Sequence, residues 1–333
     1  MLFLNTLQHF TVDGICGAAL AAYAVNEIYF EPIVYYFGLY NLIAFGTQWL
    51  MGYVLDKKAA FIPYAFLVSL IALGLGTVSS LGIMVQVILL GVGNSIFHVA
   101  GGSLVLRKYS TYKELGIFVS SGAVGLALGL NQFVSSVTFL IIYAILTLMV
   151  FQRLRSFNFE IEFESNETHE RYSNIALTAI VSCVILLLGC VVLRGFGGSG
   201  ASTEYVLLLP CTFAIGKALG GICCDKIGYK NTIVLIFVLS FLSLQFSGLI
   251  PILILTLAFN MTMPLTLRIV HFCNPSKPGL MFGLAAGCLL PGAFFRDDFS
   301  VIPQAMVVIQ FLTLFIAGYL FKTYSQHREK VEI

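Results

Sequence analysis

Charge is scarce in this sequence. Lys, Arg, Asp and Glu make up only 10% of its 333 residues, against about 25% in a soluble domain, so a water-soluble fold is excluded. The alternation of apolar and polar residues over strands of about 10 residues, which a transmembrane barrel needs, is also missing. No Gly-rich phosphate loop, nucleotide motif or paired metal-ligand spacing appears. Primary active transport by this chain alone is therefore disfavoured, and neither cofactor nor metal is expected. Nor is a nucleophile gathered with a general base at one depth, which counts against a membrane-embedded enzyme, the alternative of a different class. A net charge of +2 gives no reason to expect nucleic acid. The start at Met1 has no basic n-region and no clear cleavage site, so the first apolar segment is expected to remain as a span. The eight cysteines sit nearly all inside apolar stretches and read as small packing residues. Cys223 and Cys224 are adjacent, which suits neither a zinc pair nor an easy disulfide.

What is abundant is hydrophobic surface, at 59% of the residues. Runs such as Ile233 to Leu257 carry no charge, and about 20 apolar residues are what a helix needs to cross a bilayer. Only helices satisfy their own backbone there without a barrel. Charges, prolines and Gly/Ser clusters divide the chain into twelve spans. Six of them (Leu4 to Val25, Pro32 to Leu55, Ala60 to Val78, Leu81 to Leu106, Leu115 to Leu130, Phe133 to Phe151) form an N-terminal bundle over 1–152. A charged linker over 153–173 follows. Six more (Ile175 to Val192, Tyr205 to Cys224, Thr232 to Gly248, Pro251 to Val270, Leu280 to Phe295, Val301 to Phe321) form a C-terminal bundle over 174–333.

The basic residues orient this layout. Every Lys and Arg except Arg194, Lys217 and Arg296 falls in one set of connections or at the termini on that side. The positive-inside rule makes that side cytoplasmic, so both termini are expected there. An odd number of spans would have scrambled the pattern. Loops this short leave no room for an appended soluble domain, and a monomer is sufficient.

A repeat is visible half a chain apart. The turn after the second span reads Gly52-Tyr-Val-Leu-Asp56-Lys57, and the turn after the eighth reads Gly221-Ile-Cys-Cys-Asp225-Lys226. The fifth and eleventh spans also open alike, with Lys113 through Phe118 to Gly122 and Lys277 through Phe282 to Gly287, as a duplicated six-helix unit would. The longer run from Gly221 through Asp225, Lys226 and Gly228 to Lys230 resembles the signature of the major facilitator superfamily. The first copy departs from it, with Lys58-Ala-Ala where the second glycine would stand. The resemblance implies an all-α integral membrane fold of twelve helices in two pseudo-symmetric six-helix bundles, and secondary active transport by alternating access. It also implies a cytoplasmic gate of Gly52, Asp56, Lys57, Gly221, Asp225, Lys226, Gly228 and Lys230. In that gate Gly221 permits close packing, Gly228 a tight reversal, and Asp225 pairs with basic residues across the bundles. In the fifth span, Gly122-Ala-Val-Gly125-Leu-Ala-Leu-Gly129 resembles the glycine-rich motif of the antiporter branches without its proline; ordinary small-residue packing is the other reading. The segments from Gly91 to His98 and from His9 to Asp13 resemble those of fosmidomycin-resistance-type exporters. Efflux from a bacterial plasma membrane is what these two likenesses imply.

Ionisable side chains inside a bilayer are costly, so each is a functional candidate. Asp13 and His98 each stand about nine residues from the same end of their spans and share a depth. His9 lies one helical turn before Asp13 and points the same way. A carboxylate beside an imidazole can exchange a proton near neutral pH, so His9, Asp13 and His98 are candidates for proton coupling; a fixed polar clasp is the competing reading. The second half offers cations instead. Lys217 lies deep in the eighth span, with Arg194 and Arg268 toward opposite ends of theirs. Together they suit an anionic or electron-rich small solute, which also allows an anion importer or facilitator without proton coupling, whereas a snorkelling Lys217 is the bland alternative. Asn260, Asn94 and Gln48 add uncharged hydrogen bonds to the candidate substrate site. The expected partners are thus a small-molecule substrate, a proton and lipid.

Overall fold

The computed structural model describes residues 1–26, 30–78, 80–155, 174–196, 206–294 and 303–329. Most of the charged linker expected over 153–173 lies outside the described residues, as do Arg171, Arg296 and Lys330. The described part is helical. The first half holds α1 (Leu2–Asn26), α2 in two segments (Phe30–Gly46 and Gln48–Lys57), α3 (Ile62–Val78), α4 (Ile83–Lys108), α5 (Tyr112–Leu130) and α6 (Ser136–Leu154). The second holds α7 (Asn174–Phe196), α8 (Leu208–Ile227), α9 (Tyr229–Ser243), α10 (Leu249–Cys273), α11 in two segments (Pro278–Gly287 and Leu289–Phe294) and α12 (Pro303–Glu329). These twelve helices correspond to the twelve expected spans.

Eight of the helices are long and apolar enough to cross a membrane, and α1, α2, α9 and α11 fall short. The exceptions have physical causes. The first half of α1 carries Asn5, Gln8, His9, Thr11 and Asp13, and the first four of these are buried. Their polarity is directed at other helices, which satisfies the rule that polar groups in a membrane face protein. Helix α2 breaks at Thr47, whose hydroxyl donates to the Ile43 carbonyl at 2.7 Å, a bond that competes with the helical ladder. Helix α11 breaks at Cys288, where Pro291 has no N–H to give the carbonyl of Gly287. Helix α9 has 15 residues and spans roughly 22 Å.

The packing repeats with a period of six helices. In the first half α1 packs on α5 and α6, α4 packs on α2 and α3, and α3 packs on α6. In the second half α7 packs on α11 and α12, α10 on α8 and α9, and α9 on α12, so each contact has its counterpart six helices on. The halves meet through α2 with α11 and α5 with α8, flanked by α4 with α11 and α5 with α10. This interface has the same two-fold logic, and it gives the two-bundle architecture that the repeat in sequence implied.

Lipid tails are as apolar as Leu, so close backbone approach rather than hydrophobic burial must hold the helices together. The glycine stripe of α5 shows how. A Cβ at Gly125 would overlap the carbonyl of Phe10, and one at Gly129 the carbonyl of Gly14, both on α1. The resemblance of this stripe to an antiporter motif is therefore accompanied by a plain structural use, the seating of α1 on α5. Gly125→Val should lower stability by about 1–3 kcal/mol. Gly189→Ala on α7, where a new Cβ meets nothing within 4 Å, should be neutral or raise it. Thermal unfolding of the two purified variants in the same detergent checks the contrast.

Candidate functional site

Three side chains converge where α1, α4 and α5 meet. His9 and Asp13 come from α1, one turn apart, and His98 comes from α4. The Nε2 atoms of His9 and His98 lie 2.9 Å from each other. Asp13 stands 3.4 Å from His9 Nε2 through one carboxylate oxygen and 3.6 Å from His98 Nε2 through the other. Asn94 Nδ2 donates to Asp13 Oδ1 at 3.1 Å and fixes the carboxylate's orientation. All three members are largely buried, Asp13 the least, at 17% exposure of its side chain. Gly122 of α5 makes the room: any Cβ there would collide with Asp13 and His9.

The tautomers follow from the outer partners. His9 Nδ1 lies 2.8 Å from the carbonyl of Phe118, and His98 Nδ1 lies 3.0 Å from the carbonyl of Asn94. A carbonyl only accepts, so each Nδ1 carries a hydrogen. In two neutral rings both Nε2 atoms would then present lone pairs to each other at 2.9 Å, which is repulsive. The pair is favourable only with a positive charge between the nitrogens, and Asp13 is the adjacent counter-charge. The arrangement gathers a carboxylate and two imidazole nitrogens around one point.

The second half contributes two cations. Arg194 of α7 is buried, with Nη1 3.5 Å and 3.4 Å from the hydroxyls of Thr262 and Thr266 on α10. Lys217 of α8 lies within electrostatic reach of Arg194, Asp13 and His98. Neither cation makes a salt bridge among the described residues. Asn94 belongs to the carboxylate cluster. Asn260 gives its Nδ2 to the Thr256 carbonyl of its own helix at 2.9 Å. Gln48 is fully buried, and its Nε2 donates to Ala44 O at 2.8 Å while Oε1 has no hydrogen-bond partner. Arg268 does not join Lys217. It is fully buried near the opposite end of α10 from Gly248, with Nη2 donating to Thr111 O of the first half at 2.6 Å. Thr262, Thr266 and the Phe118 carbonyl are contributors that sequence reasoning missed, because an ordinary Thr or a backbone oxygen carries no signal.

At the end of the molecule that bears most Lys and Arg, the two halves are clamped by a matched pair of contacts. Asp225, ending α8, accepts from Tyr112 N at 3.0 Å and Lys113 N at 2.7 Å, the first turn of α5. Asp56, ending α2, accepts from Gly279 N at 2.9 Å and Leu280 N at 2.7 Å, the first turn of α11. Each carboxylate therefore caps a helix N-terminus in the other half, where unpaired N–H groups and the helix dipole favour negative charge. This differs from the expected pairing with basic side chains across the bundles. Among the described residues the one such ion pair, Arg107 to Asp56 at 2.9 Å, lies within the first half. Lys57 instead lies over the Tyr53 ring, and Lys226 and Lys230 are exposed. The absent second glycine of the first copy does not prevent its cap. Side chains at Gly52 or Gly221 would overlap Gly279 and Tyr112, so these glycines let the halves touch backbone to backbone. Gly228, at φ 81°, makes the reversal into α9.

No family model matches this chain, and no curated protein matches it in sequence. Solved structures do. Over 97% of this chain and 98% of the other, it resembles the major facilitator superfamily transporter FucP in its outward conformation, at TM-score 0.56 and 14% identity. A bacterial homologue of the iron transporter ferroportin in its outward-facing state matches over 98% of each chain, at TM-score 0.55 and 13% identity. A variant of the E. coli fucose:proton symporter FucP matches over 97% of each, at TM-score 0.54 and 13% identity. The fold is that of the major facilitator superfamily transporters, and the protein is an integral membrane protein.

The clamp yields a prediction with a native reporter. Cys224, next to Asp225, is 3% exposed. Asp225→Ala removes one of the two caps, worth about 1–2 kcal/mol, and should speed alkylation of Cys224 about tenfold. Lys226→Gln, at an exposed neighbour, should leave the rate unchanged. Mass spectrometry of maleimide-treated protein reads both.

Proposed function

We propose that this chain is a proton-coupled secondary carrier of a small anionic organic solute, working by alternating access between its two halves. The observation that carries the proposal is the pair of facing imidazole nitrogens beside Asp13, a cation site that a single proton satisfies. Asp56 and Asp225 with their glycines act as the cytoplasmic gate, closed here, and the crowding of Lys and Arg at that end supports a cytoplasmic location for both termini. A bacterial plasma membrane is the membrane in which this layout would operate.

Charge explains how proton and solute would be coupled. With a proton shared by the histidines, Asp13 is neutralised, and Lys217 and Arg194 are left to attract an anion. Once the proton leaves, Asp13 becomes an intramolecular competitor for Lys217 and disfavours the solute. Proton and anion thus bind better together than apart, which is the requirement for cotransport. For export, the glycine stripe that suggested it also has a structural use in seating α1 on α5, which leaves the likeness of the His9 to Asp13 and Gly91 to His98 segments as its support. A second reading, an anion facilitator without coupling, is favoured by one observation, the lack of any carboxylate bound directly to Lys217 or Arg194 among the described residues.

The test begins with a thermal-stability screen of purified protein against organic anions, followed by uptake of the stabilising solute into proteoliposomes. In the wild type a pH gradient should drive accumulation. Asp13→Asn should abolish that accumulation yet retain counterflow exchange, and Lys217→Gln should weaken affinity for the solute. Gradient-driven accumulation that survives in Asp13→Asn would leave the facilitator reading in its place.

A further inference from the structure

The site that holds the proton has the composition and shape of a metal site. Its ligand atoms, one from each of His9, Asp13 and His98, lie within 4.8 Å of one another. A first-row divalent cation bonds imidazole nitrogen and carboxylate oxygen at about 2.0–2.2 Å, which puts neighbouring ligand atoms about 2.9–3.5 Å from each other at octahedral to tetrahedral angles. The closest approaches here are 2.9 Å between the two Nε2 atoms and 3.4 Å and 3.6 Å from them to the carboxylate. Both imidazoles also have the outer partner typical of metal-bound histidine, a carbonyl on Nδ1 that turns the Nε2 lone pair inward, and Asn94 holds the carboxylate. The two lone pairs point at the same space. A proton can sit between them, but so can a metal ion, and only the latter uses both lone pairs and the carboxylate at once.

We infer that His9, Asp13 and His98 form a binding site for a divalent transition-metal cation of the Zn²⁺, Fe²⁺, Mn²⁺ and Co²⁺ class, which competes with the proton. This rests on the reading of the cluster as a cation site and names a second cation for it. Two imidazoles with one carboxylate select against Mg²⁺ and Ca²⁺, which prefer oxygen throughout. Three protein ligands leave coordination positions for water or for an oxygen of an anionic solute. The surroundings set the affinity. Helix α5 contributes Gly122 and the Phe118 carbonyl, whereas Lys217 on α8 opposes a second positive charge. The ligands come from helices far apart in sequence, His9 and Asp13 on α1 and His98 on α4, so no spacing motif announced them.

The experiment is a Co²⁺ titration of chelator-stripped, untagged protein in nanodiscs, followed by its visible d–d absorption. The expected result is one Co²⁺ per chain with bands of nitrogen and oxygen ligation. His98→Gln and His9→Gln should each weaken binding by about 10- to 100-fold, with thermal unfolding reporting whether they fold. Lys217→Gln, which leaves every ligand in place, should tighten binding about tenfold by removing the opposing charge. Absence of d–d bands in the wild type, or bands indifferent to both the histidine and the Lys217 changes, overturns the inference. Nitrogen NMR of the metal-free histidines reports separately on the proton. A shared proton without Co²⁺ binding would refute the metal site and leave proton coupling standing. Co²⁺ binding to a pair without a shared proton would support the metal site and remove the proton from it.

Discussion

Two imidazole nitrogens 2.9 Å apart, each with its other nitrogen tied to a carbonyl, are tolerable inside a membrane only around a positive charge. Much of the first half is arranged for that one contact. Helix α1 accepts a polarity that takes it below the threshold of an ordinary span, because His9 and Asp13 have to face inward. Helix α5 gives up a side chain at Gly122 so that the two can lie against it. The carbonyls of Phe118 and Asn94 are groups of regular helices, so the tautomers are set by backbone that cannot easily move. The result is a carboxylate and two imidazoles held in place by the groups around them.

The second half is built on the opposite sign. Arg194 rests on two threonine hydroxyls, and Lys217 is within electrostatic reach of Asp13 in the other half. Hydrocarbon neither screens nor solvates such charges, and their interaction across a narrow interface is correspondingly strong. At the basic end the same two halves are joined by carboxylates on helix N-termini. Those caps can be released without leaving a charge in lipid, since Asp56 and Asp225 stand at helix ends where water can replace the N–H donors. Fixed electrostatics in the middle and exchangeable capping at one end are what the proposed movement of the two halves requires.

The sequence revealed the architecture well because the constraints on it are one-dimensional. Bilayer thickness sets span length, and the basic residues mark alternate loops, so twelve helices could be counted. The repeat from Gly52 to Lys57 and from Gly221 to Lys226 anticipated the two clamps, and the like openings of the fifth and eleventh spans proved to be the helix starts that the clamps cap. The cluster was legible to the level of depth and facing, which put Asp13, His9 and His98 together. Its decisive feature was not, because the tautomer of a histidine depends on a carbonyl and carbonyls are in every residue. Arg268 shows what sequence position leaves open. As a lone arginine in an apolar helix it looked like a companion of Lys217, yet it reaches across to Thr111, a partner that a backbone oxygen hides. Long side chains extend several ångströms from their helix, so sequence position locates the Cα and not the charge.

Alternating access coupled to a proton, as proposed, requires that protonation of the Asp13 cluster bias the two halves between arrangements, and the most direct measurement is the distance between spin labels at Lys108 and Lys230. Both residues are exposed at the basic end, one in each half. Measured as a function of pH, the wild type should redistribute between a short and a long distance, and Asp13→Asn should hold one distribution throughout. A pH response that persists in Asp13→Asn, or its absence from the wild type, would contradict the claim.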